Sequence, residues 1–161
     1  VKVRLVGDSY RGDDREREAV RRLVADSDLA GSVSVEDGVT DVAAIYRELD
    51  LVVIPSIMLD SFPTVALEAM SAGKPVVGYA AGGLPEMLGL DADCLAPVAD
   101  WRALAELIQR FVADEEFRLS KAHQQHRRYL ENFTVDQYRV RIREALRPIL
   151  PVAALERGES R

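Results

Sequence analysis

The sequence is poor in the residues that build several kinds of site. It has one cysteine, Cys94, and two histidines in 161 residues. A lone cysteine excludes an internal disulfide and any cysteine-rich metal site, and it fits a reducing compartment. His123 and His126 stand three apart on an expected helix, but Lys121, Arg127 and Arg128 lie around them and would repel a cation, so no metal site is read there. Lysine occurs only as Lys2, Lys74 and Lys121, and the net charge is −6. That balance argues against a nucleic-acid partner, whose phosphates need a basic surface. No apolar run approaches the roughly 18 residues of a membrane span. The opening VKVRLVGD lacks the long apolar core and small-residue cleavage site of a signal peptide. GxGxxG, GxxxxGK[ST] and GxSxG are all missing, which removes the sequence support for a dinucleotide fingerprint, a P-loop or a nucleophile elbow.

What is present is the composition of a globular protein, 48% apolar and 30% charged, at a length that fits one domain with a proper core. Short apolar runs at Val1 to Val6, Ser32 to Val35, Leu51 to Ile54, Pro75 to Tyr79 and Cys94 to Ala96 read as strands. Leu51 to Ile54 has no alternation, as expected of a strand buried on both faces in a parallel sheet. Between these strands lie helical stretches. One follows a cap at Asp13 or Asp14 and carries Val20, Leu23 and Val24 as its apolar stripe. Others span Val42 to about Leu49, Thr64 to Ala72, and Leu84 to Leu88.

From Asp100 the chain reads as helix. Asp100 caps a segment with Trp101, Leu104, Leu107, Ile108 and Phe111 at helical period. A second helix covers about Asp114 to Leu130, with Lys121 to Arg128 as a basic face. A third runs from Val135 to Leu150, with Tyr138, Ile142, Ala145, Leu146 and Ile149 on one side. The alternation predicts an α/β fold, a Rossmann-like doubly wound parallel sheet with a helical C-terminal tail, over residues 1–150, and a polar tail over 151–161. In such folds ligands bind at the carboxyl ends of the strands, here Gly7 to Arg11, Glu36 to Val39, Pro55 to Thr64 and Ala80 to Gly83.

The chemistry concentrates in DSFPTVALEAMSAGKPVVGYAAGGLPE, from Asp60 to Glu86. Glu68 is the only charged residue between Ser61 and Gly73, and it follows Asp60 by eight positions. Unpaired N–H groups at a helix start form an anion site, and because Pro63 has no N–H, Thr64 and Val65 are the better donors. Alternatively, Thr64 or Ser61 simply caps the helix. Glu68 lies one turn on, on the face of Thr64. It can accept from two neighbouring sugar hydroxyls, or else it pairs with an arginine or faces water. Asp60 can reach another part of the same ligand or be an ordinary turn residue. Gly82 and Gly83 allow a close backbone approach to a ligand, or form a plain strand-to-helix turn.

The joined pattern of Asp60-x7-Glu68, EAMSAGKPVV from Glu68, and Gly82-Gly83-Leu84-Pro85-Glu86 resembles glycosyltransferase family 4, over roughly residues 1 to 147. The likeness is to its C-terminal, donor-binding domain, one half of a GT-B fold. It implies a metal-independent, retaining transfer of a hexosyl unit from a nucleotide-diphosphate sugar, with no cofactor. It places Glu68 on the ribose hydroxyls, Asp60 as the catalytic residue that meets the donor sugar and supports charge changes at the reacting carbon, and backbone groups around Phe62, Thr64 and Val65 on the sugar and diphosphate. Gly82 and Gly83 belong to the same site. Base contacts are expected from the loop Glu36 to Val39. Asp60 departs from the family's Glu by one methylene.

The family also carries Gly-Arg and Lys before the first strand of this domain, which the present sequence does not include. The N-terminal acceptor domain is therefore expected to lie outside this chain, and the chain alone to bind nucleotide weakly without turnover. A cytoplasmic location is expected, with peripheral membrane association of the full-length enzyme left open. The alternatives are a non-catalytic nucleotide-sugar binding module and another GT-B enzyme such as an epimerase.

Overall fold

The computed structural model describes residues 1–7 and 14–149. By its internal contacts the chain divides into two units, Val1–Ile45 and Tyr46–Arg161. The first holds β1 (Val3–Val6), α1 (Arg15–Ala25) and β2 (Val33–Glu36), and α2 (Val42–Glu48) runs across the division. The second holds β3 (Val52–Ile54), α3 (Thr64–Ser71), β4 (Val76–Tyr79), α4 (Leu84–Leu88), β5 (Leu95–Ala96), α5 (Trp101–Ala113), α6 (Glu115–Asn132) and α7 (Val135–Leu146). Two parallel sheets form, β1-β2 and β3-β4-β5. The expected α/β alternation is present, and each expected strand is found within two residues of its predicted ends.

In the first unit β1 and β2 pair in register from Val3 with Val33 to Val6 with Glu36. Arg4 donates to both carboxylate oxygens of Glu36, at 2.9 and 2.7 Å, and Ser34 Oγ donates to Oε1 at 2.7 Å. The Arg4 hydrogen bonds first, then Ser34, hold the Glu36 carboxyl down at about 2. Their contribution is complete above the ordinary carboxylate value and is lost as the pH falls through about 2. Asp14 occupies the N-cap of α1 without a side-chain cap bond and pairs instead with Arg17; Asp13 lies outside the described residues. The predicted stripe is on α1, but no residue of that helix is buried, and Leu23 is 71% exposed. A two-stranded sheet has little apolar face to cover a helix. Asp41 caps α2, accepting from the Ala44 N–H at 3.0 Å.

The second unit carries the core. All four residues of β4 are buried, and Ala66, Ala69 and Met70 of α3, Leu84, Met87 and Leu88 of α4, and Leu104 and Phe111 of α5 pack with them. β3 differs from expectation: it is an edge of its sheet, and Val53 is 37% exposed between buried Val52 and Ile54. Its unbroken β-branched run reflects strand propensity rather than cover on both faces. Asp100 caps α5 as predicted, accepting from the Arg102 and Ala103 N–H groups. Trp101 leaves the stripe; it is exposed, with the Arg102 guanidinium 4.2 Å from its ring centre.

Helix α6 is fastened inward. The run from Lys121 to Arg128 reads in the sequence only as a basic helix face, yet it includes the residues that do the fastening. Lys121 Nζ meets Asp91 at 2.6 Å and Asp93 at 2.9 Å. His126 Nδ1 lies 2.8 Å from the Met70 carbonyl. Arg128 donates to the Met87 and Glu86 carbonyls at 2.8 and 2.7 Å, closing the end of α4 where Gly89 turns at φ +76°. Gln125 is buried; its Oε1 accepts from the Val76 N–H at 2.7 Å and its Nε2 donates to the Val76 carbonyl at 3.0 Å. On that edge β5 first engages β4 at Gly78, so Gln125 replaces one strand residue and satisfies two backbone groups that sit in the core.

The third C-terminal helix ends at Leu146, short of the predicted Leu150, which lies outside the described residues. Pro148 accounts for the early stop: Arg147 before it is still helical, at φ −52° and ψ −40°, but Pro148 has no N–H with which to continue the ladder. The apolar side of α7 is not covered: none of the helix's residues is buried, and Tyr138 is 62% exposed.

Gln125→Ala should destabilise the fold by about 2–4 kcal/mol, since both polar groups of buried Val76 lose their partner. Urea denaturation of the variant measures this directly.

Candidate functional site

Helix α3 carries most of the predicted site. Pro63 stands at its N-cap in an extended conformation, φ −62° and ψ 109°, and no side chain caps the helix. Neither Thr64 nor Ser61 therefore fills that role. The Ala66 N–H turns back to the Pro63 carbonyl at 3.0 Å. The Thr64 and Val65 N–H groups have no acceptor among the described residues, and both residues are exposed. Such groups at a helix start favour an anion by direct donation and through the helix dipole. At the other end Gly73, at φ +68°, sends its N–H to Met70 O, while the Lys74 N–H reaches Ala69 O. That is a Schellman stop, and it fixes where α3 ends.

Burial of Ala66, Ala69 and Met70 turns Glu68 outward, where it is exposed. Its protein partner is neither an arginine nor water alone. The Tyr46 hydroxyl donates to Glu68 Oε2 at 3.0 Å and lies 3.3 Å from the Val65 carbonyl. Burial first, and then this hydrogen bond, raise the Tyr46 phenol above its ordinary value, so it stays protonated and acts as donor. Glu68 Oε1 has no partner among the described residues. Tyr46 was missed in the sequence; one aromatic on a short helix gives no signal of a partner 22 positions away.

Asp60 sits in the loop after β3 and is exposed. Its Oδ1 accepts from the Phe62 N–H at 2.9 Å, an Asx turn that takes this N–H out of the set open to a ligand. Oδ2 remains available. The Phe62 ring stands edge-on to Phe133 at 5.8 Å. The same loop explains the glycine pair. The Gly83 N–H donates to the Asp60 carbonyl at 2.9 Å. A Cβ on Gly82 would overlap the Asp60 backbone, and one on Gly83 would overlap the Ser61 carbonyl. The partner that needs the missing side chains here is therefore the loop's own backbone, a role that neither sequence reading contained. Pro55 to Thr64 and Ala80 to Gly83 do meet, as predicted. Between them lies a cavity of about 20 Å³, enough for a single water, lined by Ile54, Asp60, Pro63, Tyr79 and Leu84 among others.

The site thus joins two open N–H groups, a carboxylate held by one oxygen one turn further along, and a second carboxylate fixed in a turn. It can take an anion at the helix start and hydroxyl donors at Glu68. In the first unit, the Glu36 carboxylate of the expected base-binding loop is occupied by Arg4, and residues 8–11 of the Gly7 loop lie outside the described residues. Among the described residues no group of three His, Cys, Asp or Glu side chains could hold a metal, and no helix is long and apolar enough to cross a membrane.

Gly73→Ala should cost about 1–2 kcal/mol, the left-handed penalty alone, since its Cβ meets nothing within 4 Å. Gly82→Ala should cost more and displace the Asp60 loop. Hydrogen exchange at the Phe62 and Gly83 amides, beside denaturation of both variants, checks the contrast.

A sequence profile of the family described as glycosyl transferases group 1 matches residues 1–114. The chain is 37% identical over 123 residues to D-inositol 3-phosphate glycosyltransferase of Salinispora tropica, covering 68% of this chain and 24% of that protein. It is 30% identical over 126 residues to lipopolysaccharide 1,2-N-acetylglucosaminetransferase of Salmonella typhimurium, covering 72% and 32%. The chain therefore spans a quarter to a third of the length of these relatives. Among solved structures, Anabaena Alr3699/HepE in complex with UDP and glucose superposes with a TM-score of 0.83 at 25% identity, over 92% of this chain and 41% of that one. The C-terminal domain of a group 1 family glycosyl transferase from Francisella tularensis, LpcC, matches in fold with a TM-score of 0.67 at 17% identity, over 83% and 87%. With the profile spanning more than half its length, the chain belongs to the group 1 glycosyltransferase family.

Proposed function

We propose that this chain is the donor-binding half of a glycosyltransferase that moves a sugar from a nucleotide-diphosphate sugar to an acceptor. The observation that carries the reading is the pairing, on one short helix, of two open N–H groups with a carboxylate that keeps one oxygen unpartnered. A nucleotide-sugar has a matching pattern, an anionic diphosphate beside a ribose with neighbouring hydroxyls. In this reading Thr64 and Val65 donate to the diphosphate, and Glu68 Oε1 accepts from the ribose. Asp60 Oδ2 faces the donor sugar, and the Gly82–Gly83 turn keeps Asp60 in place.

In the transfer, the bond from the anomeric carbon to the diphosphate oxygen breaks, and a bond to an acceptor oxygen forms as that hydroxyl passes its proton to the departing diphosphate. The charge that grows on the leaving diphosphate falls at the start of α3, where the helix dipole favours it. We assign a retaining, metal-independent course, with Asp60 stabilising the charge that develops at the reacting carbon. The UDP bound by Alr3699/HepE makes a uridine nucleotide the first donor to try. The acceptor is assigned to a further domain of the whole protein. A cytoplasmic setting fits the single buried thiol of Cys94.

Glu68→Ala should weaken binding of UDP-glucose by about tenfold or more, because hydrogen bonds to a charged group are lost. Its melting temperature should stay near that of the parent, since Glu68 is exposed. Calorimetry with UDP-, GDP- and ADP-glucose makes the comparison, and an unchanged affinity for every donor would make Glu68 a structural residue.

A further inference from the structure

We propose that Tyr46 is a positioning residue for nucleotide binding, holding one oxygen of Glu68 so that the other is left for the ribose hydroxyls. The inference rests on the donor-binding reading above. Tyr46 is 7% exposed, and its ring belongs to the core that includes Ala66 and Ala69 of α3. Its hydroxyl has one proton and two acceptors within reach, Glu68 Oε2 at 3.0 Å and Val65 O at 3.3 Å. The carboxylate is nearer and charged, so it takes the proton.

The choice of a neutral donor matters. No cation pairs with Glu68 among the described residues, so its negative charge is not already satisfied when a ligand arrives. A lysine or arginine in the place of Tyr46 would hold the carboxylate equally well but compete for that charge. A glutamate on an exposed helix face otherwise samples several rotamers, and immobilising such a side chain on binding is costly. The buried phenol removes part of that cost beforehand.

Tyr46 is itself held in place. Lys74, just beyond the Gly73 stop of α3, donates its ammonium to the Arg47 carbonyl at 3.2 Å. The last turn of α2 is thereby fastened to both ends of α3, through Tyr46 to the Val65 and Glu68 turn and through Arg47 to Lys74. A shift of α2 along α3 would move the phenol off the carboxylate.

The test uses the 161-residue chain. Calorimetry first identifies which of UDP, GDP and ADP binds best, then compares it with its 2′-deoxy and 3′-deoxy counterparts. Tyr46→Phe keeps the buried ring and should weaken the ribonucleotide by about fivefold to tenfold. The deoxynucleotide that lacks the contacted hydroxyl should be weakened much less. In a Glu68→Ala background, Tyr46→Phe should add nothing further. Equal weakening of ribo- and deoxynucleotides, or an undiminished effect in the Glu68→Ala background, would make Tyr46 structural and overturn the inference alone. An unchanged affinity in Tyr46→Phe beside a weakened Glu68→Ala would do the same. Unchanged affinity in Glu68→Ala, or no nucleotide binding by the parent chain, would overturn the donor-binding reading and the inference with it.

Discussion

The site depends on a contact between two stretches of bare backbone. Asp60–Ser61 after β3 lies directly on Gly82–Gly83 after β4, joined by the Gly83 N–H to the Asp60 carbonyl. No side chain fits between them. That contact sets where the loop crosses, and the loop in turn delivers Pro63 to the start of α3 and closes the Asx turn that orients Asp60. Moving the two stretches apart by the width of one methyl group would shift the acid and the helix start together. The glycine pair therefore acts on the ligand indirectly, by holding what would touch it.

Behind this surface, α6 replaces what the short strands cannot supply. β5 has only two residues, and β4 would leave Val76 with unpaired polar groups in the core. Leaving such groups unsatisfied costs far more than an average hydrogen bond contributes. Gln125 meets both at once. Lys121, His126 and Arg128 then tie the same helix to the 91–93 turn, to α3 and to α4. Cys94 lies against Gln125 in this layer, and burial pushes its thiol up to about 12, which keeps it protonated and inert.

The sequence is legible where the cause of a feature is local. Gly73 stops α3 because it alone takes a left-handed turn cheaply, and Asp100 caps α5 with its own carboxylate. The strand β4 stands out because all of it is apolar or small. The sequence is not legible where the cause lies far along the chain. The partner of Glu68 is Tyr46, the partner of Gly82 is Asp60, and that of Gln125 is Val76, and no periodicity encodes such pairs. The inward ties of the α6 cations are not legible either, because their carbonyl and carboxylate acceptors sit on other elements. Periodicity marks the apolar side of α7 but not whether anything covers it, and in this chain it is unburied. Of the candidate site, the positions of Asp60, Glu68, Thr64 and Val65 on one loop and one helix were legible. The open N–H groups and the single held carboxylate oxygen were not, because both are matters of three-dimensional satisfaction.

The central claim is that Glu68 and the start of α3 receive one nucleotide-diphosphate sugar together. A crystal structure of the chain soaked with UDP-glucose tests it most directly. The account predicts a ribose hydroxyl within hydrogen-bond distance of Glu68 Oε1, with Oε2 still on Tyr46, and diphosphate oxygens on the Thr64 and Val65 N–H groups. A nucleotide bound elsewhere on the chain, with Glu68 touched only by Tyr46 and solvent, would contradict it.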